Sequence, residues 1–212
     1  MLVRNLGRVE YAPTWQAMRD FTEARNADTE DELWLLEHPP VFTLGQAARR
    51  EHLLAVTDIP VVQTDRGGQI TYHGPGQVVA YPLVDMRRLG IYVKELVFRI
   101  EQAVIQTLEG FGVDARRVNG APGVYVPWRG GRAGGTLEGR AKIAALGIKV
   151  TRGRSYHGIA LNVKMDLAPF ALINPCGYAG LAIVDLALLG VTVEQETVAA
   201  RLAERLSAHL TA

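Results

Sequence analysis

Three stretches of the chain repeat their apolar residues at helical spacing. The first follows Pro13 and predicts an amphipathic helix that ends near residues 26–28. The second predicts a helix over residues 95–111, and the third predicts a C-terminal helix opened by a capping-box pattern, Thr192 to Gln195. The apolar stripes consist of Trp15, Met18, Phe21 and Ala24; of Leu96, Ile100, Ala103, Val104, Leu108 and Phe111; and of Val198, Leu202, Leu206 and Leu210.

Short apolar runs between these stretches predict strands. Residues 142–150 and 156–163 flank the turn 151–154 and predict a hairpin, whereas residues 181–189 predict a short helix closed by Gly190. Further strands are predicted at residues 3–11, 32–37, 41–45, 59–64, 78–84 and 122–126, with a polar connection or short helix at 46–54. This order predicts one α+β domain over residues 1–212, with a mixed or antiparallel sheet and flanking helices rather than a doubly wound sheet.

Residues 66–77 are dense in glycine. Four glycines and a proline fall within eleven positions, which favours a backbone that approaches a ligand closely or adopts positive φ. Donors and acceptors lie between the glycines, as expected where a loop holds the polar end of a substrate. Composition alone leaves two interpretations open, a substrate loop or a long hairpin with a glycine-rich turn. The polar side chains are those of Arg66, Gln69, Thr71, Tyr72 and His73.

Composition narrows the class of protein. At 212 residues, with 48% apolar and 21% charged residues, the chain can bury a large core. A formal net charge of +1 provides no general field for nucleic acid. The N-terminus lacks a secretory h-region and no window approaches the roughly 18 apolar residues of a membrane helix, so we expect a cytoplasmic protein without membrane or nucleic-acid partners.

Cys176 is the only cysteine and lies in a constrained turn, between Pro175 and Gly177. That placement is compatible with a reactive thiol or a buried small side chain. A free cysteine has a pKa of about 8.5, so a nucleophilic thiol needs a nearby cation. The candidate cations are Lys142, Lys149, His73 and His157, although a solvated lysine or a structural histidine is the commoner role for each.

Six blocks of the sequence together resemble the octanoyltransferases of lipoate biosynthesis. The blocks lie in the expected order at residues 36–43, 66–77, 121–126, 142–147, 156–163 and 173–178. The glycine-rich stretch and the Asn-Pro-Cys-Gly turn form the most specific pair. Residues 128–140 are longer and richer in glycine and arginine than the family pattern, with a flexible surface loop expected at 128–135. The resemblance implies the fold of the biotin and lipoate protein ligase catalytic domain.

The resemblance also implies the site residues. The acyl-thioester cysteine of the family matches Cys176, and the lysine that keeps it ionised matches Lys142. The segments that contact substrate match Arg66, Gly67, Gly68, Gln69, Ile70, Thr71, Tyr72 and His73; Ala145, Leu146 and Gly147; and Gly158, Ile159 and Ala160.

By the same resemblance, the reaction is a ping-pong acyl transfer without cofactor or metal. The implied donor is octanoyl-acyl carrier protein. The implied acceptors are lipoyl domains of 2-oxoacid dehydrogenases and the glycine cleavage H protein. Because these partners are acidic, the pairs Arg49-Arg50, Arg87-Arg88 and Arg116-Arg117 are candidate contacts, although solvated surface arginine is the commoner role.

Two other functions fit parts of the sequence. An ATP-dependent lipoate or biotin ligase would use Arg66-Gly67-Gly68 as an adenylate loop, and residues 151–154 resemble weakly the basic loop of biotin ligases. A non-catalytic binding module would use Cys176 only for packing.

Overall fold

Two β-sheets and three helices make up the part of the chain described by the computed structural model, residues 1–129 and 137–211. The helices are α1 (Tyr11–Ala24), α2 (Val93–Glu109) and α3 (Gln195–Leu210). The strands are β1 (Leu2–Arg8), β2 (Glu32–Glu37), β3 (Val41–Leu44), β4 (Val61–Gln63), β5 (Ile70–His73), β6 (Gln77–Leu83), β7 (Arg116–Val118), β8 (Ala121–Pro127), β9 (Arg140–Thr151), β10 (Arg154–Asn162) and β11 (Ala182–Ile183). Short 3-10 helices occupy Arg50–His52, Ala168–Leu172 and Pro175–Gly177.

The larger sheet has eight strands in the order β1-β2-β6-β10-β9-β8-β7, with β11 paired to the start of β9. The β1–β2 and β9–β11 pairs are parallel, and the other neighbours are antiparallel. The smaller sheet has the order β4-β3-β5, in which β3 is parallel to β4 and antiparallel to β5. These sheets confirm the predicted α+β class with mixed pairing.

Helices cover both faces of the larger sheet. Leu33 and Leu35 of β2 join the core beneath α2 and α3, whereas Trp34 and Leu36 join a cluster against α1. Successive side chains of a strand point to opposite faces, so β2 is apolar from Leu33 to Leu36 because neither face meets solvent there. The face under α1 also carries the candidate site.

The structure corrects three sequence predictions. Residues 181–189 do not form a helix, because Ala182–Ile183 pairs with the edge of β9 at Ala141 and Lys142 and turns follow. The predicted capping box is wrong, since the N-cap of α3 is Glu194 and it makes no side-chain cap hydrogen bond. The glycine-rich stretch is not a long hairpin, since its strand Ile70–His73 (β5) pairs with β3 and not with the following strand β6.

The other main elements are confirmed with small shifts. The first helix begins at Tyr11, two residues before Pro13, and the predicted hairpin is the β9–β10 pair. The short strand Arg116–Val118 was not predicted. The predicted loop at 128–135 lies mostly outside the described residues.

Candidate active site

The backbone around Cys176 holds the thiol in an unusual conformation. Cys176 has φ of 57° and Gly177 has φ of 76°. A left-handed conformation is uncommon for a residue other than glycine and is typical of functional sites. The turn is fixed by the amide of Asn174, which donates to the His52 carbonyl at 2.8 Å, and by the amide of Gly177, which donates to the Asn174 carbonyl at 3.0 Å. The half-buried thiol is therefore presented by a defined turn.

Lys142 supplies the cation beside the sulfur. Its Nζ lies 2.8 Å from Cys176 Sγ and donates to the Pro122 carbonyl at 3.0 Å. The residue is only 3% exposed, and Nζ lies 5.0 Å from the centre of the Tyr125 ring. Burial acts to lower the pKa of Lys142, but the charges and hydrogen bonds of Cys176 and Tyr125 together outweigh it and raise that pKa. Lys142 is therefore an ammonium at pH 7, with its Nζ in contact with the sulfur.

The backbone beside Lys142 requires glycine. Gly123 has φ of 120°, and a Cβ there would lie 3.2 Å from Lys142 Nζ and 2.6 Å from the Ala144 carbonyl oxygen. The Gly123 amide donates to Glu101 Oε1 at 2.8 Å, and Glu101 pairs with Arg117 at 3.2 Å. The buried Glu101 carboxylate of α2 therefore anchors β8, the strand whose Pro122 carbonyl accepts a hydrogen bond from Lys142 Nζ. The sequence analysis missed it, because its only sequence signal is a charge inside an apolar stripe.

Arg66 fixes the conformation of the glycine-rich segment. It is 7% exposed, and its guanidinium donates to the carbonyls of Thr43, Gly67 and Gln69 at 2.6 to 2.9 Å. The Gly67 amide also donates to the Ile148 carbonyl of β9 at 2.9 Å. The donors of Arg66 are thus largely committed to the protein backbone, so Arg66 acts as a clamp for the loop.

A slot runs between the two sheets from Cys176. Its floor is a patch of small residues on β9 and β10, where Ala145 pairs with Ala160 and Gly147 pairs with Gly158. Its roof comes from β5, whose side chains alternate: Ile70 and Tyr72 join a separate apolar cluster and their neighbours face the larger sheet. The lining is completed by Tyr11, Arg66, Gly68, Gln69, Ile70, Thr71, His73, Val79, Tyr81, Leu146, His157 and Ile159.

Three buried histidines lie around this slot. Burial lowers the pKa of His38 to about 4 and, with the neighbouring positive charges, that of His73 to about 3. His73 Nδ1 lies 2.8 Å from Gln77 Oε1, so it has a hydrogen-bond partner away from the sulfur. Burial also lowers the pKa of His157, although its contact with Asp65 opposes this. All three are neutral at pH 7, and neither His73 nor His157 supplies the cation considered for the thiol.

A second, more open cleft reaches the sulfur from the other side. Val93 and Val97 of α2, Ile148 of β9, and Pro122 and Tyr178 form its walls. It shares with the slot five lining residues, Gly68, Gln69, Leu146, Gly147 and Cys176. Cys176 therefore stands where a narrow slot meets an apolar surface cleft, which we call the mouth.

All but one of the substrate-contacting residues implied by the resemblance line the slot or the mouth. The exception is Tyr72, which packs between Phe42 and Phe170 with ring centres 5.4 Å from each. Sequence reasoning missed Tyr11, which belongs to no quoted motif.

The candidate arginine pairs make intramolecular contacts. Arg87 pairs with Asp85 at 3.1 Å, and Arg116 pairs with Asp114 at 3.0 Å. Arg117 pairs with Glu101 and stacks on Phe98, and Arg88 donates to backbone carbonyls. Their role in binding acidic partners stays a prediction.

The fold is shared with protein ligases that attach lipoate or biotin. A bipartite lipoate protein ligase from Thermoplasma acidophilum superposes with a TM-score of 0.74 at 16% identity, covering 99% of this chain and 84% of that one. Lipoate-protein ligase A bound with ATP gives 0.73 at 16% identity, covering 99% and 86%. Biotin protein ligase from Aquifex aeolicus gives 0.55 at 11% identity, covering 99% and 70%. These likenesses define the class of fold.

Residues 10–207 match the family model of the lipoyl protein ligase A/B catalytic domain. The octanoyltransferase of Methylibium petroleiphilum is 61% identical over 98% of this chain and 97% of its own length, and that of Polaromonas naphthalenivorans is 54% identical over 98% and 97%. The chain belongs to the lipoyl protein ligase A/B catalytic domain family, and within it to the octanoyltransferases. It is an acyltransferase of protein lipoylation, as the sequence predicted.

No helix among residues 1–129 and 137–211 has the length and apolar character needed to span a bilayer.

Proposed function

We propose that the enzyme transfers an octanoyl group from octanoyl-acyl carrier protein to a lysine of lipoyl domains through a thioester on Cys176. The acceptors would be the lipoyl domains of 2-oxoacid dehydrogenases and the glycine cleavage H protein. The enzyme would act in the cytoplasm. The observation that carries the proposal is the 2.8 Å contact between Lys142 Nζ and Cys176 Sγ at the junction of two cavities.

The two cavities give each part of the substrate a place. The alkyl chain would occupy the slot over Ala145 and Gly158, where the small residues leave room between the sheets. The thioester arm of the donor would approach through the mouth, along Val97 and Pro122. After the donor leaves, the acceptor lysine would reach the same carbonyl carbon by the same route, because the slot is still filled by the chain.

The first half-reaction needs a thiolate and an available proton. The Cys176 thiolate attacks the donor carbonyl, and collapse of the tetrahedral intermediate breaks the donor C–S bond and forms the enzyme thioester. The Lys142 ammonium gives its proton to the departing donor thiolate, which leaves as a thiol. Exchange of one thioester for another is nearly isoergic, so no nucleotide is required.

Acylation itself prepares Lys142 for the second half-reaction. The thiolate charge that raises the pKa of Lys142 is gone once the sulfur is acylated, and burial, which lowers it, remains. Neutral Lys142 can then accept a proton from the acceptor ammonium, so that the free amine attacks the thioester. As the C–S bond breaks and the Cys176 thiolate leaves, the attacking nitrogen gives up its second proton to solvent, the neutral amide forms, and the starting ion pair is restored.

We propose the amide near Leu146, rather than the one near Gly177, as the donor to the oxyanion that develops at the acyl carbon. The Gly177 amide donates to the Asn174 carbonyl at 3.0 Å. On β9, the Ile148 carbonyl accepts from the Gly67 amide, so the backbone N–H and C=O groups of Ile148 point away from β10. In an antiparallel ladder these groups alternate in direction from residue to residue, so the backbone groups of Leu146 point the same way as those of Ile148. Since Leu146 lines both cavities, its amide is the better placed donor for a developing oxyanion.

The test is intact-mass analysis of the enzyme treated with octanoyl-acyl carrier protein. We expect one octanoyl adduct that hydroxylamine removes, that is absent from Cys176→Ala, and that disappears when a lipoyl domain is added as the octanoyl amide appears. Transfer that proceeds without any adduct on Cys176 would refute the thioester. Transfer from free octanoate and ATP without the carrier donor would support an adenylating ligase instead.

A further inference from the structure

The slot crosses the larger sheet at right angles to its strands. Lys142, Ala145 and Gly147 share one face of β9, because the register shift between β8 and β9 separates Lys142 from the residues that follow. Ala145 pairs with Ala160 of β10, which pairs with Val79 of β6. The slot therefore begins at the sulfur near β9 and passes over β10 to β6.

The spacing between neighbouring strands sets the length of the slot. Two steps between neighbouring strands, at about 4.8 Å each, span about 10 Å. An extended octanoyl chain measures about 9 Å from carbonyl carbon to methyl, since its C–C bonds of about 1.5 Å run in a zigzag. A chain of eight carbons bound to Cys176 thus reaches β6, and a longer chain needs space beyond it.

Aromatic side chains occupy that space. Tyr11 and Tyr81 line the slot and are each 4% exposed. The Tyr81 hydroxyl lies 2.8 Å from His38 Nε2, and the Tyr11 ring lies 5.0 Å from the His38 ring and 5.8 Å from the His73 ring, measured between ring centres. The far end of the slot is therefore closed by packed rings, which are held in place by buried polar contacts.

A second group of contacts positions Tyr11. Asp65 accepts from Trp15 Nε1 at 2.8 Å and from the Tyr156 hydroxyl, and it lies 2.8 Å from His157 Nε2. Because the carboxylate requires a proton on Nε2 of neutral His157, Nδ1 is left as an acceptor, and it faces the Tyr11 hydroxyl at 3.5 Å. His157 has φ of 60° within a strand, a conformation that persists only where the surroundings enforce it.

We propose that Tyr11 is the stop of the acyl slot, that Asp65 positions it through His157, and that this stop sets the eight-carbon limit. The inference rests on the proposed attachment of the acyl group to Cys176. Tyr11 would touch the terminal methyl of the substrate, whereas Asp65 and His157 would be positioning residues.

The experiment measures initial rates of acyl-adduct formation with carrier thioesters of six, eight, ten and twelve carbons. Wild type should favour eight. Tyr11→Ala should raise the ratio of decanoyl to octanoyl rate at least tenfold, whereas Tyr11→Phe, which keeps the ring but loses the hydroxyl that faces His157, should raise it only several-fold, as Asp65→Ala should. Asp65→Ala should raise the ratio several-fold and Asp65→Asn, which keeps an acceptor oxygen, by less. Phe21→Ala removes a ring from the same helix away from the slot and should leave the ratio unchanged.

An opposite change protects the test from misfolding. Ala160→Val narrows the slot over β10 and should move the preferred chain from eight to six carbons. An unchanged chain-length profile in folded Tyr11→Ala, or in Ala160→Val, would overturn the proposal. Binding of free fatty acids of the same lengths, measured by calorimetry, reports on the slot without the thiol. If the acyl attachment is wrong, wild type forms no adduct, but the calorimetry still tests the stop. If only the stop is wrong, wild type forms the adduct and the chain-length profile of Tyr11→Ala does not change.

Discussion

Replacing Lys142 by Met removes the charge beside Cys176 and nearly preserves the volume. Lys142 Nζ lies 2.8 Å from the sulfur, and the residue is 3% exposed, so water cannot readily replace the lost donor. A hydrogen bond to a charged group contributes about 1.5–3 kcal/mol, which corresponds to roughly 10- to 100-fold in the ionisation constant of the thiol. A cysteine with a pKa of about 8.5 is still about 3% thiolate at pH 7, so we expect iodoacetamide to alkylate Cys176 of Lys142→Met about 10- to 30-fold more slowly than wild type at that pH.

The pH dependence of this difference separates lost charge from lost structure. Burial tends to lower the pKa of Lys142, but Cys176 and Tyr125 together raise it overall, so the ammonium of the wild type persists through the neutral range. An ordinary cysteine ionises near pH 8.5, so the two alkylation rates should converge as the pH rises above about 9. A ratio that stays constant from pH 6 to pH 10 would point to misplacement of the turn.

Lys149→Met is the matched control, because it removes a lysine from the same strand, and its alkylation rate should equal that of wild type. An alkylation rate of Lys142→Met within twofold of wild type at pH 7 would refute the assigned role of the pair. Octanoyl transfer, measured on the same samples, should fall further than alkylation, because the variant also lacks the proton donor and base.

Three further predictions follow from buried groups around the site. Burial lowers the pKa of His38 to about 4 and that of His73 to about 3, whereas an unfolded histidine has a pKa of about 6.5. The unfolded chain therefore binds more protons below pH 6.5, and the free energy of unfolding should fall by up to about 1.4 kcal/mol per pH unit per histidine as the pH decreases from about 6.5 to about 4. Urea titrations should show this slope and a shallower one for His38→Gln, and equal stability at pH 7 and pH 5 would contradict it. Gly123→Ala places a Cβ 3.2 Å from the lysine nitrogen and should reduce octanoyl transfer at least tenfold, whereas Gly112→Ala, also at positive φ but facing open space, should lower the melting temperature only. Glu101→Ala leaves the Gly123 amide without its acceptor and should cost about 1–3 kcal/mol in urea unfolding, with Glu101→Gln in between; wild-type stability of Glu101→Ala would refute the anchor.

The local pattern of apolar residues predicted those helices and strands in which burial determines where the apolar residues lie. The sequence predicted both β2 and α2. Both faces of β2 are covered, which gives a continuous apolar run, whereas α2 is covered on one face, which gives an apolar stripe at helical spacing. The segment 181–189 failed because a two-residue strand pairs with the edge of β9, and that edge cannot be seen in the local sequence. Tertiary pairing there overrides a weak helical pattern.

The candidate site was predictable only where motifs covered it. The pairing of Cys176 with Lys142, 34 residues apart, was implied by resemblance, since their types alone left four cations open. Tyr11 and Asp65 have no motif, and Asp65 meets His157 across 92 residues. The approach of Tyr11 to His157 depends on how α1 packs against β10, which no local rule specifies.

The burial of Lys142 explains how one amine can serve both halves of the proposed reaction. A solvated lysine has a pKa of about 10.4, so after acylation it would keep its proton and could not accept another at neutral pH. A lysine buried in apolar surroundings without a counter-ion loses its proton easily, but it would not support the thiolate before acylation. Burial lowers the pKa of Lys142, whereas the charge on Cys176, together with Tyr125, raises it; in the proposed reaction, acylation would remove the charge on the sulfur. In the proposed reaction, the sulfur would therefore control the protonation of its own partner, and each completed acyl transfer would reset the pair for the next one.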